Sequence, residues 1–164
     1  MRAESYREQV SPADTFVHLV GTPRPSPAKA AEFRSVDLVS IQAAVAAAVS
    51  AHIAHFVYLS VAQPAPVMQA YVAVRREGEE LIRASGLAAT MLRPWYVLGP
   101  GHWWPYLLKP FYAVLSLIPS TRDGARRLGL VTRAQMIGAV VRALENPPQG
   151  VRIIDVPQIR ATGG

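Results

Sequence analysis

The chain of 164 residues is 51% hydrophobic and 17% charged, which excludes intrinsic disorder as its main state, because disordered chains are poor in hydrophobic residues. It contains no cysteine, which excludes a disulfide framework, a thiol nucleophile and a cysteine zinc site. The net charge of +6 comes from scattered basic residues without a nucleic-acid-reading motif, so no nucleic-acid partner is expected. The polar first residues, MRAESYREQVSPAD, do not predict a signal peptide, and cytoplasmic residence is the expectation.

The first part of the chain predicts alternating strands and helices. The strands are short apolar runs rich in branched and aromatic residues, which is typical of strands buried on both faces. In the first helix, apolar residues recur at three- and four-residue spacing after Pro27, a good first helical residue. The elements, in the order strand, helix, strand, helix, strand, are residues 15–20, 28–51, 55–61, 67–84 and 87–92. This alternation predicts an α/β fold with a parallel sheet and helical crossovers.

The second part of the chain is less regular. The stretch WYVLGPGHWWP, which follows Pro94, is predicted to be irregular, and residues 106–118 are predicted to be helical with a break at Pro110. Three further elements precede a frayed tail: a short strand over 126–131, a helix over 132–145 and a strand over 151–156. The apolar side of that helix is expected to carry Met136, Ile137, Val140 and Val141.

Two residues of the second predicted helix are candidates for chemistry. Tyr71 and Arg75 are four positions apart and therefore share one helix face. A cation beside a phenol stabilises the phenolate, so the phenol can give or take a proton near neutral pH. Such pairs also arise by chance in many helices, so the surrounding sequence has to decide.

That surrounding sequence resembles the short-chain dehydrogenase/reductase superfamily. The matching pieces are an apolar strand followed by Gly-Thr, a strand ending in FVYLS, a helix with YxxxR and EGEELIRASGL, and ATMLRP followed by WYVLGPG. They are most similar to the extended and atypical members, the NAD(P)-binding epimerase/dehydratase-like proteins and relatives of the 39 kDa accessory subunit of respiratory complex I. The resemblance covers roughly residues 15–156. It implies a Rossmann-type fold with NAD or NADP lying across the strand ends.

The resemblance also implies roles for individual residues. Tyr71 stands at the family's catalytic tyrosine, Arg75 at its lysine, and Ser60 ends the strand that carries its serine cluster. At position 75, arginine replaces the compact ammonium of the family's lysine by a planar fork. The residue after Ser60, where the family's catalytic hydroxyl usually lies, is Val61. The implied cofactor-binding residues are Ser60, Tyr71 and Arg75 together with two loops, formed by Val20, Gly21 and Thr22 and by Pro94, Trp95, Tyr96 and Val97.

One family feature is missing from the sequence. No GxGxxG or GxxGxxG turn occurs, although such a turn holds the cofactor's pyrophosphate at a helix N-terminus. We therefore expect a truncated protein, a partial Rossmann-type sheet without its first strand–helix units, with impaired cofactor binding. The strand at 15–20 would then have an open apolar edge, through which self-association is expected.

An aromatic stretch, HWWPYLLKPFYAVLSLIP, lies where the family has its smaller substrate-binding part. Two interpretations stay open: an apolar lid for an apolar small-molecule substrate or a membrane surface, and a helix packed on the sheet. No apolar run reaches the roughly 18 residues of a membrane span.

The remaining ionisable residues are interpreted as structural. His18 is expected to be a hydrogen-bonded core residue, and Glu77, Glu79 and Glu80 to form a solvated helix face. No group of histidines and carboxylates has the spacing of a metal site, so no metal is expected.

Two functions follow from these observations. The first is an NAD(P)-dependent oxidoreductase or epimerase/dehydratase-like enzyme with Tyr71 as its acid–base residue. The second is a non-catalytic module of the same fold that senses NAD(P) or helps to assemble a complex. The expected organisation is a polar segment (1–13), the Rossmann-type part (14–100), an apolar substrate or lid region (101–131), and a closing helix, strand and tail (132–164).

Overall fold

The computed structural model describes residue 10 and residues 12–98 and 128–162. Within them, a four-stranded parallel sheet has the order β1-β2-β3-β6, and β4 and β5 form a two-stranded parallel sheet. The strands are β1 (Thr15–His18), β2 (His55–Leu59), β3 (Ala89–Arg93), β4 (Tyr96–Leu98), β5 (Leu130–Thr132) and β6 (Val151–Asp155). The helices are α1 (Pro27–Ser50), α2 (Gln69–Ala84), α3 (Arg133–Glu145) and α4 (Val156–Arg160). The predicted α/β fold with a partial Rossmann-type parallel sheet is confirmed.

The faces of the main sheet are covered by two apolar clusters. Successive strand residues point to opposite faces. Phe56 and Tyr58 therefore pack with residues of α1 and α2, while Val57 and Leu92 pack with residues of α3 and α4. Because both faces are covered, the strands are apolar throughout, which is why short apolar runs predicted them correctly.

Helix α1 confirms the predicted first helix but is not uniform. It begins with a 3-10 turn at Pro27–Lys29, contains a π-helical segment at Phe33–Leu38 and continues as an α-helix over Val39–Ser50. The π-helical segment buries Asp37. Such segments are rare and frequently occur at functional sites. The regular apolar spacing of the sequence did not indicate it.

By length and composition, α1 could also cross a membrane. Half of its apolar window, 50%, is buried inside the fold. The core helix of a compact domain passes the same test, and Ile41 and Ala44 of α1 belong to the core cluster.

Three local expectations were wrong. Ile137 and Val141 of α3 are exposed, because the helix approaches the sheet with Met136 and the small residues Ala139 and Ala143 instead. Residues 96–98, expected to be irregular, form β4 because they pair with β5, a partner far away in the chain. Residues 156–160, expected to end a strand and begin a frayed tail, form α4, whose capping box is supplied by Asp155 and Gln158. The predicted helical segment at 106–118 and the aromatic stretch at 102–119 lie outside the described residues.

Candidate functional site

The candidate site lies at the carboxyl ends of the parallel strands, where open α/β sheets bind ligands. The loop after β1 carries Val20, Gly21 and Thr22, and Ser60 follows β2 directly. Helix α2 adds Tyr71 and Arg75 from its first two turns.

Arg75 is buried, with 3% of its surface exposed, and polar groups hold its guanidinium on several sides. Nη2 donates to Oδ1 of Asp37 at 2.7 Å. Nη1 donates to the backbone carbonyl of Leu59 at 3.0 Å and to that of Val20 at 3.3 Å. Asp37 is itself only 1% exposed. The two residues therefore form a buried ion pair in which each charge compensates the other.

Asp37 also ties the loop after β1 to this ion pair. Its Oδ2 accepts hydrogen bonds from the backbone N–H of Thr22 at 3.1 Å and from the Thr22 hydroxyl at 2.6 Å. A Cβ at Gly21 would collide with Nη2 of Arg75, so the loop can approach the guanidinium only because residue 21 is a glycine. Three predicted site residues thus meet around Asp37, a residue that the sequence reasoning missed. What could have indicated Asp37 is its charge: it is an acidic residue at a helix position where the spacing predicts an apolar one.

Tyr71 is half-buried beside Arg75, as their helical spacing predicts. The guanidinium carbon lies 5.1 Å from the ring centroid of Tyr71 and 5.8 Å from that of Tyr58, both within cation–π range. Burial raises the pKa of Tyr58 to about 12, so this phenol stays neutral. Burial alone would lower the pKa of Arg75, but the two tyrosines and Asp37 raise it above its ordinary value. The guanidinium therefore stays charged at every relevant pH.

Ser60 belongs to a second buried network. Its hydroxyl donates to Oε1 of the fully buried Glu79 at 2.7 Å. Glu79 also accepts hydrogen bonds from Gln63, from Arg83 and, at both carboxylate oxygens, from Arg93. Burial alone would raise the pKa of Glu79, but the hydrogen bonds from Arg93 and Ser60 hold it below its ordinary value. No hydrogen bond joins Ser60 to Tyr71 in the described part of the chain.

The expectation that Glu79 belongs to a solvated helix face was therefore wrong. Its side of α2 faces the ends of β2 and β3, where Ser60 and Arg93 supply donors that compensate its burial. Glu80 on the same helix is exposed, as expected.

Apolar side chains surround the remaining predicted residues. Val61 is buried in a cluster with Ala65 and Val72, against which Tyr71 and Trp95 pack. Tyr71 and Trp95 thus contact the same cluster. The cluster residue that lies just after β2 is Val61. Of the other predicted residues, the Pro94 carbonyl accepts a hydrogen bond from the backbone of residue 62, and Tyr96 and Val97 lie in β4.

His18, the last residue of β1, is buried next to the ion pair. Its ring lies 5.7 Å from the ring of Tyr58 and 6.4 Å from that of Phe56. Burial, followed by the positive charge of Arg75, lowers its pKa to about 4. The expected burial is confirmed. Within the described ranges, neither ring nitrogen has a hydrogen-bond partner of good geometry, while the backbone at His18 and Ser40 partly counters the lowering of the pKa.

A cleft of about 240 Å³ opens beside Tyr71. Its lining comes from the beginnings of α1 and α2: Pro27, Phe33, Met68, Gln69, Ala70 and Tyr71. The ring of Phe33 stands edge-on to that of Tyr71 at 5.1 Å.

No protein-family model and no curated protein matches the sequence, but solved structures match the fold. The Bordetella bronchiseptica enzyme WbmH, solved with NAD+, matches with a TM-score of 0.65 and 20% identity over 93% of this chain and 56% of WbmH. The UDP-N-acetylglucosamine 4-epimerase from Bacillus cereus matches with a TM-score of 0.67 and 18% identity over 98% of this chain and 67% of the epimerase. A double mutant of DesIV, a dTDP-glucose 4,6-dehydratase from Streptomyces venezuelae with NAD bound, matches with a TM-score of 0.67 and 19% identity over 98% of this chain and 59% of DesIV.

The protein shares its fold with these three structures. The chain spans 56% of the length of WbmH and 59% of that of DesIV.

A dinucleotide at the strand ends of this fold would meet two kinds of surface. Leu19 and Val20 are exposed at the end of β1 and offer an apolar strip that suits a flat ring. Thr22 and both terminal nitrogens of Arg75, by contrast, already have hydrogen-bond partners inside the fold. The residues present therefore fit the ring portion of a dinucleotide through Leu19 and Val20. Arg75 does not offer the free cation that the resemblance implies.

Proposed function

We propose that this protein is an NAD(P)-binding, short-chain dehydrogenase/reductase-like protein of the oxidoreductase or epimerase/dehydratase class, with Tyr71 as the acid–base residue. The observation that carries the proposal is the position of Tyr71: its ring lies 5.1 Å from a buried guanidinium at the strand ends. The NAD-bound structures that share the fold support the choice of cofactor.

A bound NAD(P) would supply a hydride acceptor or donor, and in this proposal the chain's own residues handle the proton. Tyr71 gives its proton to the substrate oxygen when a carbonyl is reduced to an alcohol. It takes the proton from that oxygen when the alcohol is oxidised. Arg75 places its guanidinium carbon 5.1 Å from the centroid of the Tyr71 ring, and Asp37 offsets part of its charge. The Ser60 hydroxyl donates to Glu79 and so links the end of β2 to α2. Ser60 is therefore a structural residue in this proposal.

A second candidate function rests on the ion pair itself. Arg75 uses its terminal nitrogens on Asp37 and on two backbone carbonyls, and Val61 stands where a hydroxyl is usual. Both features favour a module that binds NAD(P) without turnover, as a sensor or as part of an assembly.

Fluorescence titration of the whole chain with NADH and NADPH tests the shared part of both functions. We expect saturable but weak binding that Tyr71→Phe leaves unchanged within about twofold. Lack of saturation with either nucleotide would refute the proposed cofactor. Loss of NADPH absorbance in the presence of a small ketone such as acetophenone, abolished by Tyr71→Phe, would favour an oxidoreductase over the module. Circular dichroism checks that the variant is folded.

A further inference from the structure

Helix α3 carries a row of exposed apolar side chains on its outer face. Ile137, Val141 and Leu144 are 56%, 44% and 40% exposed. Their spacing of four and three positions places them on one face of the helix, and the exposed Ala134 lies on the same face. Single exposed apolar side chains are ordinary, whereas a contiguous row of them marks a contact surface. We call these four residues the α3 stripe.

The other faces of α3 are occupied by the fold. Met136, Ala139 and Ala143 face the core. The end of the described chain lies against a third side, where a Cβ at Gly138 would come within 2.7 Å of the backbone oxygen of Thr162. The α3 stripe points away from both contacts, so a partner can reach it without displacing any of them.

The α3 stripe is complementary to itself in the antiparallel direction. In a two-fold symmetric pair of helices centred on residue 139, positions equally far from this centre lie at the same height. Ile137 then meets Val141 of the second copy, and the small Ala134 meets the larger Leu144 of the second copy. The symmetry forms each of these contacts twice, so all four residues of the stripe are used.

The charges at the two ends of α3 complete this match. Arg133 and Glu145 are exposed and are also equally far from residue 139. Neither has an ion-pair partner in the part of the chain that the structure describes. Antiparallel packing brings Arg133 of each copy level with Glu145 of the other, so opposite charges meet at both ends. A parallel pair would instead bring like charges together at each end.

We propose that the α3 stripe is an interface through which two copies of this chain pair, antiparallel and centred on residue 139. One face of a single helix offers much less than the roughly 800 Å² per partner of a standard interface, so the pairing is weak and reversible. The stripe belongs to the helix layer on the sheet face opposite to α2 and Tyr71. The inference therefore does not rest on the proposed function, and it is separate from the association expected at the edge of β1.

Cysteine cross-linking of the whole chain tests the pairing, because the chain has no cysteine of its own. An equal mixture of Ile137→Cys and Val141→Cys chains sets two thiols opposite each other. Under mild oxidation we expect the mixed 137–141 disulfide to form roughly fivefold or more faster than the dimer of Arg142→Cys, whose side chain is exposed on α3 outside the stripe.

Two outcomes of this experiment would overturn the proposal. A mixed disulfide that forms no faster than the Arg142→Cys dimer would assign the α3 stripe to a different partner, since association through the edge of β1 does not bring residues 137 and 141 together. A 137–137 disulfide that forms faster than the mixed one would show parallel pairing.

A charge exchange tests the register. Arg133→Glu, introduced into both cysteine chains, places like charges at both ends and should slow the mixed disulfide about fivefold. Adding Glu145→Arg to both chains restores opposite charges and should return the rate to within about twofold of the original. Both substitutions suit their helix ends, because glutamate is favoured at the N-terminus and arginine at the C-terminus, so unfolding does not explain a slower reaction. A rate that Arg133→Glu leaves unchanged, or that Glu145→Arg does not restore, would overturn the antiparallel register.

Discussion

Acidification should destabilise this protein because folding keeps His18 neutral. Its pKa is about 4 in the folded protein, against an ordinary value of 6.5. The unfolded chain therefore takes up the proton first as the pH falls. The stabilising contribution is complete above pH 6.5 and is lost progressively down to about pH 4. At about 1.4 kcal/mol per pKa unit, the full loss is about 3 kcal/mol, of which about 2 kcal/mol falls between pH 6.5 and 5.

Urea unfolding of the wild type and of His18→Phe at pH 7 and pH 5 measures this loss. Phenylalanine keeps the ring contacts with Phe56 and Tyr58 and cannot be protonated. We expect the wild type to lose about 2 kcal/mol more than His18→Phe between the two pH values. His52→Asn is the control, because His52 is exposed and asparagine tolerates its positive φ of 53°. If the wild type and His18→Phe lose the same free energy of unfolding, the burial of a neutral His18 is not what makes the fold sensitive to acid.

Four further predictions follow from the same contacts. Gly21→Ala should lower the free energy of unfolding in urea by about 1–3 kcal/mol, because the new Cβ meets the guanidinium of Arg75; no loss would place that group elsewhere. Glu79→Gln should cost about 2–3 kcal/mol by the same measurement, because the amide replaces a buried carboxylate that pairs with Arg93 and Arg83, whereas the exposed Glu80→Gln should stay within about 0.5 kcal/mol. Thr132→Ala should cost about 1 kcal/mol and speed hydrogen exchange in the first turn of α3, since it removes the N-cap. In light scattering after size exclusion, the chain should run as a dimer or larger, because β1 pairs only with β2 within the described residues; a sharp monomer peak would contradict this.

The regular elements could be predicted from the sequence because their signals are local. The strands that begin at Thr15 and His55 are apolar at nearly every position, because helices cover both faces of the sheet. The pair of Tyr71 and Arg75 followed directly from helical spacing.

The polar networks could not be predicted, because their partners meet only in the folded chain. Asp37 and Arg75 are 38 positions apart, and Glu79 binds residues from the loop after β2, from β3 and from its own helix. Nothing in a run of three glutamates among residues 77–80 indicates which one is buried. Strand β4 was missed for the same reason, since its partner β5 lies far along the chain.

The π-helical segment of α1 makes the length of this helix part of the site. A π turn closes its hydrogen bonds over one residue more than an α turn does. Deleting one residue between Phe33 and Leu38 would allow regular α-helical bonding and keep the two halves of the helix in nearly the same rotation, because the wider π turn absorbs the extra residue. The apolar residues that follow would keep facing the core, and the change would fall on the turn that carries Asp37, the counter-charge of the buried Arg75.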